Sequence, residues 1–384
     1  MIYLGSNEIA AIKLGNTDIS AIYAGDLLIY PMDFGNLTAI TIEDLTWETD
    51  VPYTGGTATS ANCSFNIYGL YDNGKRKSIT AVATVTGSLE VSPTTSETRE
   101  NVGTLTLTAS YSGFTDTDSV SVYQAAAQPD YSKMPMTFEI LSAGTIIWKA
   151  TNTSIRKSIQ YSLNGSTWTT ITASTAGITI QVSQGDKIQF RGNNSTYGSS
   201  SYFNTFSGST AVFNVYGNIM SLIDSSNYQT LTTLTGTYNF YALLRSINIV
   251  DASNLILPAM NITTQCYRNM LATCTRMTKA PAFPATTLAN ACYMNMLYGC
   301  TALVDGPVLP ATTLTTQCYQ GLFYGCSSLK SITCLATNIS ASNCCNSWTY
   351  GITGTGTFYK DASMTSWPRG TSGIPNNWTV VDNT

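Results

Sequence analysis

The sequence predicts a mainly β, modular chain in which β-sandwich domains precede a short α/β solenoid. Segments near the C-terminus repeat every 26 residues, as in solenoids whose units bury their apolar faces against their neighbours. Upstream stretches alternate between apolar and polar residues, which is typical of β-strands with one buried face. Charged residues make up only 10% of the chain, so Ser, Thr, Asn and Gln supply most of its polar surface. This composition favours an extracellular or virion protein.

Composition also restricts the possible functions. The chain of 384 residues contains no histidine, which excludes Ser-His-Asp and Cys-His catalysis and His-ligated zinc. Its net charge is −4 and its Lys and Arg residues form no dense cluster, so we expect no nucleic-acid partner. No apolar run reaches the roughly 18 residues of a membrane span, and we expect no membrane insertion. Nucleotide-binding and nucleophile-elbow motifs do not occur, and no cofactor is expected.

Residues 1–36 contain a second, shorter repeat. YLGSNEIAAI, KLGNTDISAI and YAGDLLIY align with a period of ten, which places Gly5, Gly15 and Gly25 in register. Each unit reads as a short strand with a glycine turn, and 31 such residues are too few to form a core alone. Residues 1–31 therefore either pack on the next domain or anchor the chain to a partner protein. The same residues lack the basic and apolar regions of a signal peptide.

Residues 37–125 form the second predicted domain. Leu105, Leu107, Ala109 and Tyr111 alternate on one face of a strand, and Asp72-Asn73-Gly74 marks a hairpin turn. Several such strands within about 90 residues predict an immunoglobulin-like sandwich. The closing strand, which ends in VYQAA, resembles the BACON-type domains of gut Bacteroidetes and their phages.

Residues 133–223 form a second predicted β-sandwich. Strands are expected at 136–141, 145–150, 158–164 and 187–192, and Asn164-Gly165 predicts a hairpin. Trp148 and Trp168 are either core residues or platforms for a sugar ring, and their alternating placement favours the core. This region resembles the sandwich domains that often precede repeats of the kind described next.

Residues 224–384 form the predicted solenoid. Pro258, Pro284 and Pro310 keep the 26-residue spacing, and each unit has a short strand followed by a segment such as TTQCYQGLFYGC. In that segment Cys318, Leu322, Phe323 and Cys326 would share one face of a helix. The pattern C-Y-x-x-M/L-L/F-x-x-C, with the strand exit LPATTL, resembles BspA-like leucine-rich repeats. That resemblance implies an α/β solenoid, and Trp367 and Trp378 would cap its last unit.

Nine of the ten cysteines lie in the repeat region. Cys318 and Cys326 would lie about 12 Å apart on one helix, and neighbouring helices would hold equivalent cysteines about 8–10 Å apart. Both distances exceed the limit of about 7 Å for a disulfide, so we expect buried free thiols. The repeat-core cysteines are Cys266, Cys274, Cys292, Cys300, Cys318 and Cys326.

Together these observations predict a phage virion protein, a head or tail fibre made in the host cytoplasm and exposed on the particle. It would be a homo-oligomer, with a trimer favoured, fixed by residues 1–31 and displaying the repeats to a host-surface glycan or protein. Tyr298 and Tyr324 each precede a repeat cysteine by two residues, so each would lie on the opposite side of a helix, facing either a ligand or the next unit. We expect no enzyme, because no pair of carboxylates, Glu48 and Asp50 included, is placed together by sequence. The alternatives are a bacterial surface adhesin without its signal peptide and a tail-spike glycan hydrolase.

Overall fold

The computed structural model describes residues 36–47, 63–92, 99–124 and 129–383, together with the backbone of short strands within residues 3–31. The protein is mainly β, and helix in the described part is limited to the 3-10 segments Tyr131–Lys133, Thr153–Ile155 and Ile219–Leu222. The described residues include no helix with the length and hydropathy that a membrane span requires. The chain divides into two units, Met1–Pro129 and Asp130–Thr384.

The first unit begins with three antiparallel hairpins. They pair β1 (Tyr3–Leu4) with β2 (Asn7–Glu8), β3 (Lys13–Leu14) with β4 (Thr17–Asp18), and β5 (Ala21–Ala24) with β6 (Leu27–Pro31). Two residues separate the strands of each hairpin, and the first of the two is the repeating glycine. Each ten-residue repeat of the sequence therefore contains one hairpin.

The other described strands of the first unit form two three-stranded antiparallel sheets. One contains β7 (Leu37–Trp47), β8 (Cys63–Tyr71) and β9 (Arg76–Ser78), and the other contains β10 (Thr84–Val91), β11 (Glu100–Tyr111) and β12 (Phe114–Gln124). Leu105, Leu107 and Ala109 are buried, as their alternation predicts, in a core that draws on both sheets. The Asp116 carboxylate also accepts the backbone N–H of Ile42 at 2.7 Å, which links β12 to β7.

The second unit begins with two sheets packed around aromatic residues. Its strands are β13 (Met136–Ser142), β14 (Gly144–Ala150), β15 (Ser158–Ser162), β16 (Thr169–Thr172), β17 (Ile178–Val182), β18 (Lys187–Arg191), β19 (Asn204–Thr205), β20 (Val212–Asn218) and β21 (Leu255–Ile256). One sheet has the order β16-β15-β18-β13-β20-β21, and the other has the order β17-β14-β19. Within the six-stranded sheet, Phe138 of β13 stacks on Phe213 of the neighbouring β20 with ring centroids 4.3 Å apart.

The 26-residue repeats form a parallel β-solenoid. Its later strands, β22 (Asp305–Leu309), β23 (Ser331–Cys334), β24 (Thr357–Asp361) and β25 (Thr379–Asn383), pair in parallel in chain order. Single parallel bridges such as Asp251 with Lys279 and Lys279 with Asp305 continue the same stacking upstream. Each repeat thus contributes one turn of the solenoid, as the fixed period predicts.

The helices predicted within the repeats are wrong, because these segments consist of consecutive turns. From Cys318 to Cys326, every second N–H bonds to the carbonyl three residues earlier, as in Leu322 to Tyr319 at 3.1 Å. The intervening N–H groups bond to the next repeat, as in Phe323 to Trp348 at 2.9 Å. Residues with positive φ recur every four positions, at Gln317 (57°), Gly321 (62°) and Gly325 (72°). A left-handed residue in each turn is incompatible with an α-helix.

The same turn pattern recurs in each repeat. Its remaining left-handed positions are Tyr238, Ala242, Ser246, Gln265, Asn269, Thr273, Ala291, Asn295, Gly299, Asn343, Ser347 and Gly351. The helix prediction failed because a period of 4.0 and a helical period of 3.6 place apolar residues on one side almost equally well over eight residues. We call the segments 238–246, 265–273, 291–299, 317–325 and 343–351 the turn segments.

The predicted boundary between residues 223 and 224 lies within one continuous core. Gly217 of β20 pairs in parallel with Leu255 of β21, so the six-stranded sheet extends into the solenoid. A stack of aromatic rings also crosses this boundary, because Tyr197 stacks on Phe240. The stack continues through the repeats as Tyr267, Tyr293, Tyr319, Trp348 and Trp367, with centroid spacings of 5.5–6.4 Å. The sheets and the repeats therefore share one core within the second unit.

Candidate functional site

Three tyrosines form an exposed row on the solenoid, which we call the tyrosine row. They are Tyr298, Tyr324 and Tyr350, which are spaced 26 residues apart. The ring centroids of Tyr298 and Tyr324 lie 4.7 Å apart, and those of Tyr324 and Tyr350 lie 4.6 Å apart, with interplanar angles of 16° and 20°. Tyr298 is 36% exposed and Tyr350 is 48% exposed, while Tyr324 is half-buried between them.

The backbone of the turn segments sets this spacing. Each tyrosine precedes a glycine with positive φ, namely Gly299, Gly325 or Gly351. The N–H of Gly299 bonds to the carbonyl of Tyr324 at 2.7 Å, and the N–H of Gly325 bonds to that of Tyr350 at 2.7 Å. Successive tyrosines are therefore held at the spacing of neighbouring β-strands, which brings their rings into contact.

The sequence placed Tyr298 and Tyr324 one period apart and left open whether they face a ligand or the next unit. In the structure both lie at the surface, and each packs against the equivalent ring of the next repeat. Tyr350 was missed by sequence reasoning because its repeat has Ile352 where the others have a cysteine. The dipeptide Tyr-Gly, which recurs at 298, 324 and 350, was the signal that could have revealed it.

The stacking determines which parts of the rings a ligand can reach. Both faces of Tyr324 are covered by neighbouring rings, so a sugar cannot stack on it as the sequence suggested. The row presents ring edges and hydroxyl groups, together with the outer faces of Tyr298 and Tyr350. Partial desolvation, and then the hydroxyls of Tyr350 and Tyr298, raise the pKa of Tyr324, so its hydroxyl remains a neutral donor at physiological pH.

Uncharged side chains flank the tyrosine row. Four residues before each tyrosine are Met294, Gln320 and Asn346, and eight residues before are the exposed Asn290, Thr316 and Ser342. Asn346 accepts a hydrogen bond from the hydroxyl of Ser372 at 3.3 Å. Gln320 accepts one from the amide of Gln317 at 2.9 Å. The surface combines aromatic edges with amides and hydroxyls, which is the chemistry that binds the hydroxyl groups of neutral sugars.

The nine cysteines of the second unit are free thiols, and all nine are buried. Desolvation raises the pKa of Cys266, Cys274 and Cys326 to about 12 and that of Cys318 to about 11. It also raises the pKa of Cys292 and Cys300. These side chains are neutral thiols that fill the core.

The distance argument against disulfides between repeats does not hold. The bond from the Tyr319 N–H to the Cys344 carbonyl, 2.8 Å long, shows that the turn segments are joined backbone to backbone. Their equivalent residues therefore lie about 4.8 Å apart, within disulfide range for Cα atoms. Cys344 differs from the other thiols, because a hydrogen bond from the side chain of Cys345 lowers its pKa to about 7.

Trp148 and Trp168, in the sheets of the second unit, have different environments. Trp148 is fully buried, and its indole N–H donates to the carbonyl of Lys157 at 3.0 Å, so it belongs to the core. Trp168 is half-buried, and the guanidinium carbon of Arg191 lies 3.9 Å from its ring centroid. Glu48 and Asp50 lie outside the described residues. Within the described residues, no three Cys, Asp or Glu side chains gather closely enough to hold a metal ion.

Searches of protein-family models, of curated proteins and of solved structures find no match to this chain.

Proposed function

We propose that this chain is a non-enzymatic binding and display protein, a head or tail fibre of a phage that infects gut Bacteroidetes. The observation that carries the proposal is the tyrosine row, an exposed and neutral aromatic surface on a rigid solenoid. Solenoids commonly present such extended surfaces to macromolecular ligands. The row and the amides beside it would contact a host-surface glycan or protein, and exposure of the protein on the virion would allow that contact.

Finer assignments of the domains belong to this proposal. Two three-stranded antiparallel sheets around one core support an immunoglobulin-like, BACON-type domain at residues 37–125. The fixed 26-residue period and the parallel strands β22 to β25 support a relationship to the BspA-like leucine-rich repeats, with turn segments in place of helices. The sandwiches would act as spacers between the particle and the repeats.

Removal of the tyrosine row should abolish binding without unfolding the protein. We expect the triple variant Tyr298→Ala, Tyr324→Ala, Tyr350→Ala to bind host cells at least about tenfold more weakly, because a few central aromatic residues carry most interface energy. Its melting temperature should fall only slightly, since each stacked pair contributes about 0.5–1.5 kcal/mol. Cell binding of the full chain, measured by flow cytometry, tests this expectation.

Tyr202→Ala is the matched control, because Tyr202 is 43% exposed and is not part of the tyrosine row. It should leave binding unchanged. Unaltered binding by the triple variant would contradict the proposed role, and a large loss of melting temperature would assign the row to the structural core.

We further propose that residues 1–31 attach the protein to the particle. Their three short hairpins offer strand edges, which commonly bind partners by extending a sheet. Such contacts usually occur in symmetric sets, and we expect a homo-oligomer, with a trimer favoured.

Deletion of residues 1–31 should leave a folded protein that is missing from particles. Copy number per particle, measured by quantitative mass spectrometry, is the readout, and circular dichroism of the deleted chain is the control for folding. Incorporation at the normal copy number would place the attachment site elsewhere.

A further inference from the structure

A cleft in the sandwich part of the second unit combines two cations with aromatic rings. Lys133, Trp168, Gln189, Arg191 and Tyr228 line it, and its volume is about 350 Å³. Ligand pockets commonly begin at about 300 Å³, so the cleft can hold a single sugar ring with its substituents. It lies outside the tyrosine row and shares no residue with it.

Arg191 is fixed in place by two contacts. Its Nε donates to the side-chain oxygen of Gln160 at 2.8 Å, and its guanidinium lies over the ring of Trp168 at 3.9 Å. Its two Nη groups have no hydrogen-bond partner among the described residues. A guanidinium whose plane is already fixed loses little freedom when its free edge binds a planar carboxylate through two hydrogen bonds.

The loop that carries Trp168 is also well ordered. The side-chain oxygen of Asn164 accepts the N–H groups of Ser166 and Thr167 at 3.0 and 2.8 Å. Gly165, with φ at +74°, lies against Gln189, whose oxygen would be 3.4 Å from an added Cβ. The Asn-Gly hairpin predicted from sequence therefore holds Trp168 beside Arg191.

The opposite wall is held through Lys133. The Tyr228 hydroxyl and the Gln229 side-chain amide both donate to the backbone carbonyl of Lys133, at 2.7 and 2.9 Å. These bonds fix the backbone, whereas the Lys133 ammonium is exposed and has no ion-pair partner in the described part of the chain. Lys133 thus lines the same cleft as Arg191.

No carboxylate lines the cleft, although the pKa of the Asp130 carboxyl group is lowered by the Ser132 hydroxyl and also by the nearby Lys133 ammonium. The Asp130 carboxylate accepts the N–H of Ser132 at 3.0 Å, and Asp224 accepts those of Ser226 and Asn227 at 2.9 and 3.0 Å. Glu139 pairs with Lys187 at 3.6 Å. The lining of the cleft therefore includes two cationic residues, Lys133 and Arg191, in a protein whose net charge is −4.

We propose that this cleft binds a carboxylated sugar, such as a uronic acid residue of an acidic glycan. The free edge of Arg191 binds the carboxylate, with Lys133 as a second cation. The indole of Trp168 and the phenol of Tyr228 provide apolar surface for the sugar ring, and the Gln189 amide is placed to bind a hydroxyl group. A small inorganic anion would use the two cations and leave these three side chains without a role.

Titration of the full chain with glucuronic acid, glucose and inorganic phosphate tests the proposal, with Trp fluorescence and calorimetry as readouts. Glucuronic acid should bind at least about tenfold more tightly than glucose, because one charge-assisted hydrogen-bonded pair accounts for that ratio. Arg191→Gln should lower the affinity by about tenfold or more, and Lys133→Gln by about threefold to tenfold. Lys187→Gln, which removes a cation from the same strand outside the cleft, should change it less than about twofold.

Equal affinity for glucose and glucuronic acid would overturn the proposal, and so would phosphate binding as tightly as glucuronic acid. Retained affinity in Lys133→Gln would overturn it as well, and this variant carries the test if Arg191→Gln fails to fold. The triple variant of the tyrosine row should bind glucuronic acid normally. The experiments therefore distinguish a failure of the proposal for the cleft from a failure of the proposal for the tyrosine row.

Discussion

Replacement of Gly217 by alanine should destabilise the second unit by about 2–5 kcal/mol. Gly217 has φ at +87°, where an alanine costs about 1–2 kcal/mol. Its added Cβ would lie 2.2 Å from the Pro135 carbonyl oxygen, a backbone atom that cannot rotate away. Relief of such a clash typically costs a further 1–3 kcal/mol. Urea denaturation followed by circular dichroism measures the total loss in the free energy of unfolding.

Gly185→Ala separates the two contributions. Gly185 has φ at +90° but open space around the position of an added Cβ, so this variant should show only the backbone cost of about 1–2 kcal/mol. Gly217 lies where β20 meets β21, between the sandwich and the solenoid. We therefore expect both parts to unfold in one transition in Gly217→Ala. An equal loss in the free energy of unfolding in the two variants would show that the backbone at Pro135 shifts at little cost.

Phenylalanine at two buried tyrosines should change stability in opposite directions. The Tyr197 hydroxyl donates to the Leu222 carbonyl at 2.7 Å and accepts from the Asn194 amide at 3.1 Å. Tyr197→Phe leaves these groups without that partner and should cost about 1–3 kcal/mol. The Tyr293 hydroxyl is buried and has no hydrogen-bond partner among the described residues. Tyr293→Phe removes a desolvated polar group and should stabilise the protein by about 1 kcal/mol.

Tyr267→Phe and Tyr319→Phe extend this comparison, since their hydroxyls are buried in the same way. The measurement is thermal unfolding at a pH below the range in which tyrosine hydroxyls ionise. All three solenoid variants should melt at or above the temperature of the parent protein. A clear loss of stability in these variants would mean that ordered water satisfies the hydroxyls.

Sequence patterns predicted the features that depend on local chemistry. The alternation of Leu105 and Leu107 placed a strand correctly, and Asp72-Asn73-Gly74 marked the hairpin between β8 and β9. The 26-residue period predicted a solenoid in which each repeat pairs with the next. These signals are reliable because strand alternation, turn chemistry and repeat spacing each have a direct geometric cause.

Features that depend on how the turn segments pack could not be predicted in the same way. Asn295 and Ala291 adopt positive φ because bonds to the next repeat compensate for the strain, and no single-residue propensity indicates this. Both faces of Tyr324 are covered because the repeats lie at the spacing of β-strands. The predicted helices implied a wider spacing, at which the rings would not have stacked. The cleft at Arg191 is lined by residues from β18, the loop before β16 and the segment before β13. These segments are far apart in the sequence, so the sequence does not show that they meet.

The left-handed residue in every turn has a consequence for how this protein can change during evolution. Because alternate N–H groups of a turn segment bond to the next one, an in-frame duplication of one 26-residue unit adds a turn that fits its neighbours on both sides. Duplication of a unit with Tyr-Gly would lengthen the tyrosine row by one ring, or about 4.7 Å. The number of contacts with a repetitive ligand could then change in whole steps, and avidity with it, while the chemistry of each contact stayed the same.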